Sequence, residues 1–325
     1  MNLLRNKSNC KHRQRGLTLV ELMVALTISV VLLGGVLKVF ANSKQTYRVQ
    51  EALSRLQENG RFAIEFLARD IRSADFWGCV TSSTSLTNNL DPDNPRYIDY
   101  VTGGGVVGTD GATDTITLRG ATGSGLVVLP PYGPQASANL FVTAGNDLQQ
   151  GDIVLVSDCV TGDVFQISNA NPGTSGTVVH NTGTSTLPSN YNPGTCGGGA
   201  NAHCLSQVYA GDAEMYLSRE TIYFIANGAS GAPALFRNRD QSGAVELVEG
   251  VENMQILYGE DTNGDGAADA YNTATAVGAN MANVVSVRMA LTLRSLEDNV
   301  VLQGGADNRL RRNFTTTIAI RNRLP

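Results

Sequence analysis

From Leu22 to Leu37 the chain reads LMVALTISVVLLGGVL, an uncharged and mostly apolar run. With Leu17–Val20 it approaches the roughly 20 residues a helix needs to cross a bilayer. Beyond it the pattern changes. Val49, Leu53, Leu56, Gly60, Ala63, Leu67, Ile71 and Ala74 recur at spacings of three and four, while Arg48, Glu51, Arg55, Glu58 and Arg69 fill the other faces, the signature of an amphipathic helix. The two patterns join without a break and predict one helix from about Leu17 to Ala74, roughly 85 Å long at about 1.5 Å per residue. Gly34, Gly35 and Gly60 are its expected soft points, because glycine inside a helix costs up to about 1 kcal/mol relative to alanine. For Gly34 and Gly35, close packing against another helix is an equal expectation.

Helical spacing stops near residue 76. Runs in which apolar and β-branched residues alternate predict strands at Thr113–Leu118, Ile153–Ser157, Val164–Ile167, Thr221–Ala226, Val284–Leu293 and Phe314–Ile320. Asn169–Gly211, rich in Gly, Ser, Thr and Asn, predicts a long surface loop. The expected fold class is α+β, a long amino-terminal helix with a membrane-spanning first half, followed by an antiparallel β-sheet head. Its expected divisions are a leader over 1–16, apolar helix over 17–42, amphipathic continuation over 43–75 and head over 76–325.

Charge sharpens this picture. Arg5, Lys7, Lys11, Arg13 and Arg15 make the leader wholly basic, so that by the positive-inside tendency it stays cytoplasmic and the chain beyond about residue 42 faces outward. Of 24 lysines and arginines, the other 19 face 29 acidic residues. The exported part is therefore net negative, which argues against specific nucleic-acid binding through phosphates. Hydrophobic residues at 42%, charged ones at 16% and 35 glycines suit a folded domain with uncharged loops. Cys10 lies in the leader, and Cys79, Cys159, Cys196 and Cys204 remain downstream. Four cysteines allow three pairings. In an oxidising compartment two disulfides are expected, Cys196–Cys204 as a local ring and Cys79–Cys159 by elimination.

Glu21 stands inside the apolar run, where a carboxylate costs on the order of 2.5 to 3.5 kcal/mol on insertion scales. The segment Arg15-Gly16-Leu17-Thr18-Leu19-Val20-Glu21-Leu22 resembles the type III prepilin motif. That resemblance implies a prepilin peptidase cut after Gly16 and N-methylation of Leu17, which occupies the position usually held by Phe. Glu21 becomes the fifth mature residue, one turn from the new terminus, where it can neutralise the ammonium of a neighbouring subunit in low dielectric. Ser43–Arg48, Leu56–Ala63, Leu67–Arg72 and Trp77-Gly78-Cys79 resemble the PilW family of minor pilins. Ala234–Arg237, Glu246–Met254 and Tyr258-Gly259 are similar to the same family's carboxy-terminal half. The resemblance implies a minor subunit that helps to initiate type IV pilus assembly in the inner membrane and supports adhesion, twitching motility and sometimes DNA uptake. Its partners would be other minor and major pilins, the peptidase and the inner-membrane assembly machinery. The alternatives are a minor pseudopilin of a type II secretion system and a membrane-anchored adhesin or hydrolase with a pilin-like leader.

One stretch offers ligand chemistry. Asp261-Thr262-Asn263-Gly264-Asp265-Gly266-Ala267-Ala268-Asp269 fits D-x-N-x-D-G-x-x-D, in which alternate oxygen side chains converge on a hard cation. Ca²⁺ is expected on Asp261, Asn263, Asp265 and Asp269 side chains and the Ala267 carbonyl, with an Asp-, Asn- and Gly-rich hairpin turn without metal as the alternative. Asn272 stands where an EF-hand has its bidentate Glu, so a weak site of about millimolar affinity is expected. Signatures of catalysis are missing: the sequence has no G-x-S-x-G elbow, H-E-x-x-H or phosphate loop, and no lysine follows Lys44. His180 and His203 lie in polar stretches and read as solvated surface histidines. A non-enzymatic protein is expected.

Overall fold

The computed structural model describes residues 16, 18–133, 137–182, 187–191, 204–301 and 306–324. Helix α1 (Leu19–Ser73) is followed by β1 (Leu86–Asn88), β2 (Val106–Thr109), β3 (Thr115–Val127), β4 (Asn139–Phe141), β5 (Ile153–Ser157), β6 (Gly162–Gln166), short α2 (Pro172–Ser175), β7 (Thr177–Val179), β8 (Glu214–Asn227), β9 (Pro233–Arg239), β10 (Ala244–Glu249), β11 (Val251–Glu260), β12 (Ala270–Asn272), short α3 (Ala274–Val277), β13 (Val284–Arg294) and β14 (Arg311–Ala319). The chain forms two compact units, dividing between Glu51 and Ala52.

In the first unit, α1 presents apolar side chains on every side; Leu19 is 75% exposed and Val31 74%. Its apolar stretch is long enough to cross a membrane. The second unit holds the remainder of α1 and all the strands. There the three-and-four spacing becomes a buried stripe of Ala52, Leu56, Gly60, Ala63, Leu67, Ala68 and Ile71. This stripe joins a core with Met254, Ile256, Val287, Met289, Leu291 and Ile318 of a four-stranded sheet ordered β12-β11-β13-β14. Gly60 is a point of close approach: a Cβ there would lie 2.6 Å from the Phe314 ring. It makes room for an aromatic ring, which corrects the expectation of a soft point.

The larger sheet runs β1-β6-β5-β8-β3-β2, with β9 joined to β8 and β10 to β9. Its pairs are antiparallel except β1–β6, which is parallel. All five residues of β5 are buried. Val154 and Val156 enter one core cluster with Phe165 and Met215, while Ile153 and Leu155 enter another with Trp77 and Tyr100. Burial on both faces explains the uninterrupted apolar run of this strand.

Asn169–Gly211 is not a single surface loop. It contains α2 and β7, and its described residues include buried Val178, His180, Asn190, Leu205 and Tyr209. His180 is 3% exposed and packs its ring 5.0 Å from that of Phe165, which corrects the expectation of a solvated histidine. Nearby apolar strands supply enough area to bury this polar segment, and the segment satisfies itself by hydrogen bonding: Asn190 Nδ2 donates to the Gln166 carbonyl and its Oδ1 accepts from the Gln166 N–H. His203 lies outside the described residues.

Candidate functional site

The start of α1 is built by two residues. Thr18 precedes the first helical residue, and its carbonyl accepts the Leu22 N–H at 3.1 Å. The Glu21 Oε2 accepts from the Thr18 N–H at 2.9 Å and from the Thr18 hydroxyl at 3.0 Å, while the Glu21 N–H donates to Thr18 Oγ1 at 3.3 Å. This reciprocal pair is a capping box, which satisfies backbone donors that the first turn would leave open. The Thr-x-x-Glu spacing is its sequence signal, though the sequence drew attention only to the charge. A negative group in the first turn is also favoured by the helix dipole. Gly16 lies just outside this turn, and Leu17 lies outside the described residues. Glu21 is thus held by its own turn at the head of a segment whose apolar surface is uncovered.

The acidic loop after β11 folds onto itself. Asp261 accepts from the N–H groups of Asn263, Gly264 and Gly266 at 3.2, 2.6 and 2.8 Å, and Asp269 accepts from the Thr262 N–H and hydroxyl at 2.8 and 2.6 Å. The Asn263 amide nitrogen stands between Asp265 and Asp269, at 3.3 and 3.2 Å. Ala267 donates its N–H to Asp265. The Gly266 N–H, with its neighbours, holds the Asp261 carboxyl below the usual range, and the Thr262 bonds do the same for Asp269. Gly264 and Gly266 adopt φ of 80° and 81°, the left-handed region these tight turns require. Asp261, Asn263, Asp265 and Asp269 therefore share one loop, but among the described residues no three His, Cys, Asp or Glu side chains gather as a metal-binding group.

Cys79 and Cys159 form a disulfide that closes a sequence separation of 80. Cys204 is also disulfide-bonded; Cys196 lies outside the described residues. Beside Cys79 the end of α1 is tied to the end of the chain. Asp75 accepts from the Arg323 guanidinium, the Trp77 indole N–H at 2.7 Å and the Gly105 N–H at 2.6 Å. Arg323 also donates to the carbonyls of Met281 and Val284. Both partners of this ion pair are largely buried, so removing either would leave an uncompensated charge, typically worth about 3 to 5 kcal/mol. Arg323 was not apparent from sequence, because its role requires residues 75, 105, 281 and 284 to meet. Asp163, fully buried, is satisfied by Asn89, Ser206 and Tyr209.

Comparison with known proteins adds three findings. A model of the prokaryotic N-terminal methylation motif matches residues 11–37, which include Gly16 and Glu21. The model of the PilW family, described as type IV pilus-assembly protein W, matches residues 222–322 and takes in β9 to β14. The chain is also similar to the pilin-like protein PilA3 of Thermus thermophilus, 29% identical over 99 residues that cover 27% of this chain and 42% of the relative. The alignment thus spans less than half of that relative's length. No solved structure matches.

Proposed function

We propose that this chain, with a match to the N-terminal methylation motif at one end and to the PilW family at the other, is a minor pilin that helps to prime assembly of a type IV pilus. The observation that carries this reading is Glu21, a carboxylate in the first turn of a helix otherwise apolar to Leu37 and uncovered along that length. A single uncovered apolar helix would be served by a bilayer alone. A carboxylate at its head is useful where another subunit brings a cation into the same low-dielectric layer. Oε2 takes both bonds from Thr18. In this proposal the basic leader stays inside until the peptidase removes it, the head lies in the periplasm before assembly, and the finished subunit stands in the pilus beside other minor and major pilins. Adhesion and twitching motility follow as properties of the assembled fibre. Complementing a deletion strain tests this: Glu21→Ala should leave protein level and head stability unchanged and abolish most surface pili. Wild-type pilus number and motility with Glu21→Ala would show that the helix only anchors.

We also propose that the 261–269 loop takes up Ca²⁺ in the exterior. Support comes from its alternate oxygen side chains and from the Asn263 amide protons, which stand between two carboxylates where a cation would replace them. Millimolar Ca²⁺ should raise the melting temperature of the full-length protein, an equal concentration of Mg²⁺ should not, and Asp265→Ala should remove the rise. No change in melting temperature with Ca²⁺ would end this proposal.

A further inference from the structure

Opposite the buried stripe of α1, the residues Phe62, Glu65, Phe66, Arg69 and Arg72 recur at spacings of three, one and four and so share the outer face of the helix. An outer face is normally polar, yet this one carries two phenylalanines, and Phe62 is 46% exposed. The face is one side of an open groove of about 850 Å³, completed by Phe76, by Ala121 to Gly123 of β3 and by Arg321 and Asn322. Glu65 is its single acidic residue. Arg72 and Arg321 are exposed and belong to no ion pair among the described residues. Arg69 shares the one carboxylate of Asp70 with Arg239 and Tyr223, so that charge is not cancelled either. Beyond the leader, 19 basic residues face 29 acidic ones in the chain, which makes this basic, aromatic groove exceptional. Acid returns next to it: Phe76 and Asn322 also line a second depression, bordered by Asp261 of the 261–269 loop.

We propose that this groove is the docking site for a short acidic segment of another protein, one that carries apolar side chains between its carboxylates. Charge sets the sign of the occupant: three guanidinium groups, each able to take a carboxylate through two parallel N–H bonds, stand against one acid. The phenylalanines set its second property, since surface charge alone contributes little and Phe and Arg together are what buried contact centres are made of. Length sets its size. From Phe62 to Ser73 the helix rises roughly 16 Å, which matches about five residues of extended chain, whereas a free small carboxylic acid would fill only part of the groove. A nucleic acid strand would run past the ends and lay its next phosphates on Asp261 and a net-negative surface. A short segment docks in either direction along α1, so it places no demand on how its own chain is anchored. The proposal is independent of Glu21 and of the pilin reading.

The test follows the fluorescence anisotropy of a labelled peptide of alternating Glu and Leu added to the full-length protein in a zwitterionic detergent, with protein-free micelles as the blank. The peptide should bind, and binding should weaken as salt rises. A Glu-Ser peptide of equal charge should bind more weakly, and a Lys-Leu peptide should not bind. Arg72→Glu with Arg321→Glu should weaken binding of the Glu-Leu peptide by at least about ten-fold, and Phe62→Ser by about five-fold. Glu65→Gln should strengthen it by about three-fold, a gain that damage to the fold cannot produce. Arg312→Glu, an exposed change outside the groove lining, should alter it by less than about two-fold. Melting temperatures near wild type show that each variant is folded. No binding of the Glu-Leu peptide, equal binding of the Lys-Leu peptide, or binding indifferent to Arg72 and Arg321 would each overturn the proposal. So would an oligothymidylate of equal length that binds more tightly than the peptide, since it would make the groove a nucleic-acid site.

Discussion

The two halves of α1 spend their apolar residues in opposite ways. Between Leu19 and Phe40 the large apolar side chains are exposed on all faces, whereas from Ala52 to Ile71 one stripe is buried and Leu67 and Ile71 are wholly inaccessible. Similar residue types serve both halves, so composition does not separate them. Arrangement does: an all-round apolar surface needs a cover that the chain does not supply, while a stripe is covered by the chain's own sheets. The first half is therefore the part long and apolar enough to cross a membrane, and the second half carries the fold of the head.

The sharpest way to break this comparison is to place one charge in each half. Leu67→Asp should unfold the head, a loss above about 4 kcal/mol because a carboxylate would be buried without a partner. Val30→Asp, at a position 68% exposed, should leave head melting within about 0.5 kcal/mol of wild type yet release the protein from the membrane fraction. Thermal denaturation and fractionation read the two effects separately. Next in size is the disulfide. Cys79→Ser opens the 80-residue separation and should lower head stability by about 4 kcal/mol in the chain-entropy picture, measured by denaturant titration, with membrane retention unchanged.

Glycines give a finer contrast. Gly60→Ala should cost about 1 to 3 kcal/mol, since the new methyl group would press on the Phe314 ring. Gly34→Ala and Gly35→Ala have nothing within 4 Å and should leave head melting unchanged. The smallest effect belongs to the acidic loop. Because the Asp261 and Asp269 carboxyls are held below their usual 3.8, the order they give the loop is fully present above that pH and is lost as pH falls through their lower values. The amide resonances of Gly264 and Gly266 should hold steady from neutral pH to about 4 and shift only under stronger acid. Asp261→Asn should abolish that acid transition.

The long helix was the most legible part of the sequence. Expected from about Leu17 to Ala74, it runs from Leu19 to Ser73, because tens of residues of consistent spacing fix a helix better than any local propensity. Each of the six expected strands overlaps an observed one, as Val284–Leu293 does with β13. The three-residue strands β1, β4, β7 and β12 were missed, since so short a run carries no alternation to read, and the longer β2, β9, β10 and β11 were missed as well. His180 and Asn190 were misjudged for a related reason: their neighbours in sequence are polar, while their neighbours in space are Phe165 and Gln166. At the candidate site, the prepilin motif and the acidic loop could be read locally. The Thr18–Glu21 capping box had a local signal too, but the Asp75–Arg323 tie joins residues 248 apart and depends on the finished fold.

Mass spectrometry of the amino-terminal peptide from protein matured in its own cells tests the central claim most directly. The account predicts a chain that begins at N-methylated Leu17, with residues 1–16 removed and Glu21 fifth from the new terminus. A chain that keeps its leader, or one cut near Ala41 after the apolar run, would contradict it.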